Sequence, residues 1–265
     1  MDRSDCWHAK TYGDPDNPAI LFLHGFMGCG EDWTAVIQGL MIHYFCITVD
    51  LPGHEKTRIW QSKRDYAMPG AAKNLIHMLA DLRIRKCIVV GYSMGGRLAL
   101  YLALHYPDRF FKGVLESASP GLSKREDRLA RIAHDEKLAS ELESVPFATF
   151  LRKWYSQPIF ESLKGHPDFP DLLKRRQGNI PADMALSLRH MGTGKQPSQW
   201  ARLRHNRVPL LFMTGELDGK FRAIASRMEG MCPYSRTKII AGCGHNIHFE
   251  NPSAFIESVK AFIEE

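Results

Sequence analysis

Three residues far apart in this chain have side chains that can together move a proton at neutral pH: Ser93, Asp218 and His245. A serine hydroxyl is a weak base and nucleophile until an imidazole takes its proton. The imidazole needs a carboxylate to fix its tautomer and stabilise its charged form. Ser93 lies in Gly91-Tyr92-Ser93-Met94-Gly95-Gly96, after the apolar run Lys86–Val90 and before a helical segment, Arg97–Tyr106. Strand, Gly-x-Ser-x-Gly and helix in that order predict a nucleophile elbow, with the hydroxyl standing clear at the strand's end. Glu216 is an alternative acid to Asp218, and Asn246 and His248 lie beside His245. Asp218 is preferred because it lies further into its loop, nearer to where the histidine must be.

A serine activated in this way needs donors for the charge that develops opposite it. Leu23-His24-Gly25-Phe26-Met27-Gly28 follows the first long apolar run. In a fold that orders its triad Ser…Asp…His, one donor comes from that loop and one from the residue after the nucleophile. The backbone N–H groups of Phe26 and Met94 are assigned to an oxyanion hole on this ground.

Apolar runs at Ala19–Leu23, Phe45–Asp50, Lys86–Val90, Gly113–Ser117, Leu210–Thr214 and Thr237–Ile240 must position these residues. They are continuous rather than alternating, as buried parallel strands are, and helix-period segments lie between them. Leu75, Ile76, Leu79 and Leu82 mark one such helix, and Pro252–Ile263 another. The pattern predicts an α/β-hydrolase fold, a mostly parallel central sheet flanked by helices. Between about Pro120 and Gln199 the rhythm breaks into short, proline-punctuated helices. We therefore expect two core parts, 1–119 and 200–265, and a helical cap insertion at 120–199 over the site.

The 265 residues, 44% hydrophobic and 24% charged, suit one well-buried domain rather than a disordered chain. The formal charge of +6 comes without a basic block interleaved with aromatics, which argues against nucleic acid and leaves an anionic small substrate open. Met1–Cys6 has no apolar segment of a secretory leader, and the longest apolar stretch is too short to span a bilayer. The six cysteines form no Cys-x-x-Cys pair, so neither a disulfide framework nor a zinc site is expected. The expected location is cytoplasmic. No cofactor, no metal and no membrane insertion are expected, and the remaining histidines show no ligand spacing.

Beyond the elbow, several segments narrow the reading. They are Gly96-Arg97, Glu116-Ser117-Ala118-Ser119-Pro120-Gly121-Leu122, Trp154-Tyr155-Ser156-Gln157-Pro158-Ile159-Phe160 and Met191-Gly192-Thr193-Gly194. Gly215-Glu216-Leu217-Asp218-Gly219-Lys220-Phe221-Arg222 and Gly244-His245-Asn246-Ile247-His248-Phe249-Glu250-Asn251-Pro252 complete the set. On these residues the chain resembles the 2-succinyl-6-hydroxy-2,4-cyclohexadiene-1-carboxylate synthases, the MenH family of menaquinone biosynthesis, over nearly its whole length. The resemblance implies a carbon–oxygen lyase that expels pyruvate from 2-succinyl-5-enolpyruvyl-6-hydroxy-3-cyclohexene-1-carboxylate. Ser93 would then act as a base rather than as an acylated nucleophile.

It also implies a substrate-binding set of Tyr92, Arg97, Arg131, Trp154, Phe160 and Arg176. Arginines make chemical sense there, because the substrate carries three carboxylates and guanidinium binds carboxylate along two parallel bonds. Arg128 and Arg175, neighbours of Arg131 and Arg176, are expected on solvated faces, and Arg222 is equally a structural ion-pair partner. Glu55, where relatives carry a small residue, is a departure; it is expected to point away from the site. Two other readings share the fold: a serine hydrolase of small anionic esters, thioesters or carbon–carbon bonds, and a receptor that binds without turnover.

Overall fold

The computed structural model describes residues 7–58 and 62–265. Met1–Cys6, on which the expectation of no leader rests, lies outside the described residues. A seven-stranded sheet forms the centre, built from β1 (Ala9–Tyr12), β2 (Ala19–Leu23), β3 (Phe45–Val49), β4 (Cys87–Tyr92), β5 (Phe110–Glu116), β6 (Leu210–Gly215) and β7 (Ser235–Ile240). Their order across the sheet is β1-β3-β2-β4-β5-β6-β7, with β1 antiparallel to β3 and every other pair parallel. The six apolar runs of the sequence are β2 to β7. The antiparallel edge strand β1 was not among them. Ala-Lys-Thr-Tyr offers no apolar run, and only its pairing with Phe45–Val49 makes it a strand.

Each central strand buries both faces, because helices cover the sheet on both sides. One apolar cluster joins Leu21, Leu23, Val89 and Leu115 to the helices Met68–Asp81 and Met94–His105. The other joins Ile20, Phe22, Val90 and Met213 to Thr34–Leu40 and Pro252–Glu264. The last helix starts as expected, with Pro252 at its first position and the Asn251 side chain accepting the Ala254 N–H.

Between β5 and β6 the chain is helical, with Arg125–Ser144, Phe147–Tyr155, Phe169–Arg176 and Pro181–Met191 as its longer elements. These helices enclose their own apolar cluster around Phe150, Tyr155, Phe160, Leu172 and Leu188. Met27, from the loop after β2, is fully buried in that cluster. Among the described residues no helix is long and apolar enough to cross a membrane.

Candidate active site

Parallel strands leave their carboxyl ends along one edge, and the chemistry sits there. β4 ends at Tyr92, and the chain turns through Ser93 at φ +49° into the helix Met94–His105. Few L-residues adopt that backbone, and it lifts the hydroxyl out of the turn. Such a turn also needs glycines. A Cβ on Gly91 would strike the Gly95 carbonyl, and one on Gly95 would strike the Leu23 carbonyl. The Ser93 N–H donates to the Glu116 carbonyl at 2.8 Å, fixing the elbow to β5.

The structure brings Ser93, His245 and Asp218 together. His245 Nε2 lies 3.2 Å from Ser93 Oγ, and its Nδ1 lies 2.6 Å from Asp218 Oδ2. The acid side chain also caps its own helix, Asp218 Oδ1 accepting the Phe221 N–H at 3.2 Å. That leaves Nδ1–H as the proton on the neutral ring and Nε2 as the base facing the hydroxyl. The Phe221 ring covers the imidazole at 4.7 Å between centroids. Glu216, the alternative acid, instead accepts the Gly242 N–H at 2.9 Å. His248 pairs with fully buried Glu116 at 2.7 Å and stacks on Trp33. Glu250, which sequence reasoning passed over, accepts the N–H groups of Gly244 and Asn246 at 2.7 and 3.2 Å, holding the histidine loop on both sides of His245.

Phe26 lies in the loop after β2, and Met94 is the first residue of the helix behind Ser93. The Gly95 N–H donates to the His24 carbonyl at 3.1 Å, which brings that helix N-terminus against the loop. Two buried imidazoles shape the loop. His24 Nε2 accepts the Leu51 N–H at 2.9 Å, and His54 Nε2 accepts the Met27 N–H at 3.1 Å. Their Nδ1 atoms face the carbonyls of Gly25 and Pro52 at 2.7 and 3.1 Å. Burial, then the mutual repulsion of the two rings, keeps His54 well below the ordinary histidine range, and burial lowers His24 as well. Both rings are neutral, with the proton on Nδ1.

A cavity of about 450 Å³ opens on Ser93, His245, Phe26 and Met94. Arg97, Arg131, Trp154 and Phe160 line it, as do three cations absent from the sequence-derived set, Lys124, Lys220 and Arg227. Among the described residues that line it, Asp127 is the only acid. Lys220 lies two residues after Asp218, but nothing in the sequence separates Lys124 or Arg227 from ordinary surface cations. Arg97 is buried, its Nη1 donating to the Met191 carbonyl at 2.9 Å and Gln196 Oε1 at 3.1 Å. Burial, with the neighbouring Arg131 charge, pushes Arg97 down to about 10. An anion would relieve both effects. Arg131 is braced by Asp135 at 2.7 Å.

Arg176 sits apart from Arg97 and Arg131. It lies outside the large cavity, in a second one of about 40 Å³ that shares Ser93, Phe26, Trp154 and Phe160 with the first and also contains Tyr92. Its guanidinium already holds a carboxylate: Nη1 and Nη2 meet the two Asp32 oxygens at 2.8 Å each, and Nε donates to the Tyr155 hydroxyl at 3.0 Å. Arg175, expected on a solvated face, also reaches Asp32, at 3.4 Å. Burial would raise the Asp32 carboxyl, but the charge and hydrogen bonds of Arg176 outweigh it and hold Asp32 at about 2. Arg128 donates to the Gly194 carbonyl, and Arg222 to the Glu216 carbonyl rather than to a carboxylate. Glu55 lines neither cavity at Ser93. No group of three or more potential metal ligands occurs among the described residues.

A family model described as the alpha/beta hydrolase fold matches residues 18–252. The putative 2-succinyl-6-hydroxy-2,4-cyclohexadiene-1-carboxylate synthase of Bacillus subtilis (strain 168) is 35% identical over 255 residues, 95% of this chain and 92% of that protein. PHYLLO, a chloroplastic protein of Arabidopsis thaliana, is 32% identical over 264 residues; the match covers 94% of this chain but only 15% of the length of that relative. Among solved structures, MenH from S. aureus superposes with a TM-score of 0.92 at 32% identity, covering 97% of this chain and 98% of that one.

Proposed function

We propose that this chain, which belongs to the α/β-hydrolase fold family and within it to the 2-succinyl-6-hydroxy-2,4-cyclohexadiene-1-carboxylate synthases, expels pyruvate from 2-succinyl-5-enolpyruvyl-6-hydroxy-3-cyclohexene-1-carboxylate. It is a menaquinone-pathway enzyme, a carbon–oxygen lyase. The observation that carries the substrate reading is the charge of the cavity at Ser93: among the described residues, five cationic side chains against one acid in its lining suit a tricarboxylate rather than a neutral ester.

In this reading the residues at 120–199 act as a cap between core parts 1–119 and 200–265, and the substrate lies between cap and elbow. Ser93 Oγ gives its proton to His245 Nε2 and takes the ring proton beside the succinyl carbonyl. Asp218 stabilises the imidazolium that forms. Negative charge moves onto the succinyl oxygen, where the N–H groups of Phe26 and Met94 receive it. The electrons then return through the ring, forming the diene and breaking the ring carbon–oxygen bond. Enolpyruvate leaves and becomes pyruvate on taking a proton at its methylene carbon. Arg97 and Arg131 hold carboxylates, and Trp154 and Phe160 press on the ring. The reaction takes place in the cytoplasm, a compartment that suits the five buried free thiols among the described residues.

The test is pyruvate release from enzymatically generated substrate, with Ser93→Ala in parallel. Pyruvate and diene appearing together, and lost in the variant, are the expected result. Turnover of p-nitrophenyl acetate without any pyruvate release would move the assignment to a hydrolase, since the same triad serves acyl transfer.

A further inference from the structure

Met27 is held from two sides. Its backbone is in the left-handed region at φ +66°, and it is not a glycine. Its N–H donates to His54 from the loop after β3. Its carbonyl accepts from Asn179 Nδ2 at 2.9 Å, and Asn179 belongs to the turn that ends the cap helix Phe169–Arg176. The amide orientation follows from its partners. Oδ1 faces a donor, the Glu55 N–H at 3.0 Å, and Nδ2 faces two acceptors, the carbonyls of Met27 and Arg176. Asn179 is 5% exposed, and its two donor bonds, to the Met27 and Arg176 carbonyls, are buried.

The peptide groups on both sides of the Met27 Cα are thus fixed, one by the core and one by the cap. Phe26, whose N–H must be aimed at the reacting oxygen, is the residue immediately before. We propose that Asn179 is a positioning residue for the oxyanion hole: it couples docking of the cap to the aim of the Phe26 N–H. The proposal rests on the reading above, in which Phe26 faces the developing charge. The neighbouring Arg176–Asp32 pair belongs to the same attachment, because Asp32 Oδ2 also accepts the Cys29 N–H of the same loop at 3.1 Å. Cap movement and loss of the donor are then one event. An open cap leaves an unready serine, and a docked one completes the hole.

The experiment uses the full chain with Asn179→Ala and Asn179→Asp, and two readouts. The first is kcat and KM for pyruvate release; the second is hydrogen exchange of the amides from Gly25 to Gly28. Loss of an aimed donor costs about 10²–10³ in rate, and a donor that wanders costs part of that. N179A is therefore expected to lower kcat about 10-fold or more, with KM changed less than about 3-fold, while the loop amides exchange faster by more than the fall in global stability, read from the central-strand amides, accounts for. N179D keeps an acceptor for Glu55 but loses the donor to Met27, so it should follow N179A, and it carries the test if N179A does not fold. Wild-type kcat in either variant overturns the proposal, as does a rise in KM alone, which would make Asn179 mere pocket wall. If the wild-type protein releases no pyruvate, only the functional reading fails. Exchange then decides, and unchanged loop protection in both variants overturns the positioning role.

Discussion

Arg176 and Asp32 meet edge to edge, with two N–O distances of 2.8 Å between side chains that are 4% and 6% exposed. Taking away one charge strands the other in a buried site, which typically costs about 3–5 kcal/mol. Asp32→Asn is expected to lower stability by about 3 kcal/mol at neutral pH, read from the denaturant midpoint. The effect has a pH signature. The folded carboxyl titrates at about 2 against an ordinary 3.8, so the stability it contributes is complete above 3.8 and lost as pH falls through 2. D32N should lack that acid limb. An acid limb identical in both proteins would count against the pairing.

The neutrality of His24 and His54 predicts a second, separate loss on acidification. Both folded rings lie below the ordinary 6.5, so the unfolded chain binds protons that the folded one refuses. Stability is therefore complete above about pH 6.5 and declines as the medium becomes more acidic. Replacing His54 by Gln keeps an acceptor for the Met27 N–H and removes one titrating ring. Urea midpoints of H54Q should fall less than those of the wild type between about pH 7 and pH 5.

Arg97 is buried and partly desolvated, and in the proposed reading a substrate carboxylate offsets that cost. Arg97→Ala is expected to cut kcat/KM for pyruvate release about 100-fold or more, roughly the loss of one charge-assisted, two-bond contact. Arg97→Lys should recover little, because an ammonium cannot reproduce the planar fork that also meets Met191 and Gln196. A lysine variant with wild-type kcat/KM would show that charge alone suffices.

Within the triad, Asp218→Asn should leave the fold intact and lower kcat about 10³-fold or more, because an amide favours the wrong imidazole tautomer. Ser93→Ala should reach the same floor. Combining the two should lose little more than either alone, since the residues act as a unit. Additive losses would show that they do not.

Glu250 offers the mildest test. Its carboxylate takes two backbone N–H groups that flank His245. Glu250→Gln puts an amide where two acceptors are needed, and kcat is expected to fall about 10-fold with KM nearly unchanged. A change in KM alone would mean that the loop serves binding rather than aim.

Much of this protein is legible along the chain because the relevant signals are local. Strands β2 to β6 are largely apolar runs, whereas β7 is apolar only at Ile239-Ile240, and Gly91-Tyr92-Ser93-Met94-Gly95 specifies its own turn through the carbonyls that a Cβ would strike. Asp218 and His245 each follow a strand, so a parallel sheet must deliver them to one edge. β1 escaped because an edge strand of mixed character depends on its neighbour rather than on its own composition. The partner of Arg176 escaped for a related reason. Asp32 lies 144 residues away, and nothing near either residue tells a buried ion pair from a ligand-binding arginine. The same holds for Lys124 and Arg227, which come from opposite sides of β6 in the sequence and meet in one cavity wall only in the folded chain. What the sequence determined by itself was the chemistry that short-range sterics and strand order impose. Which charges remain free for a substrate, and which are already neutralised, was decided only by the tertiary structure, because electrostatic partnership depends on distances that long-range packing alone sets.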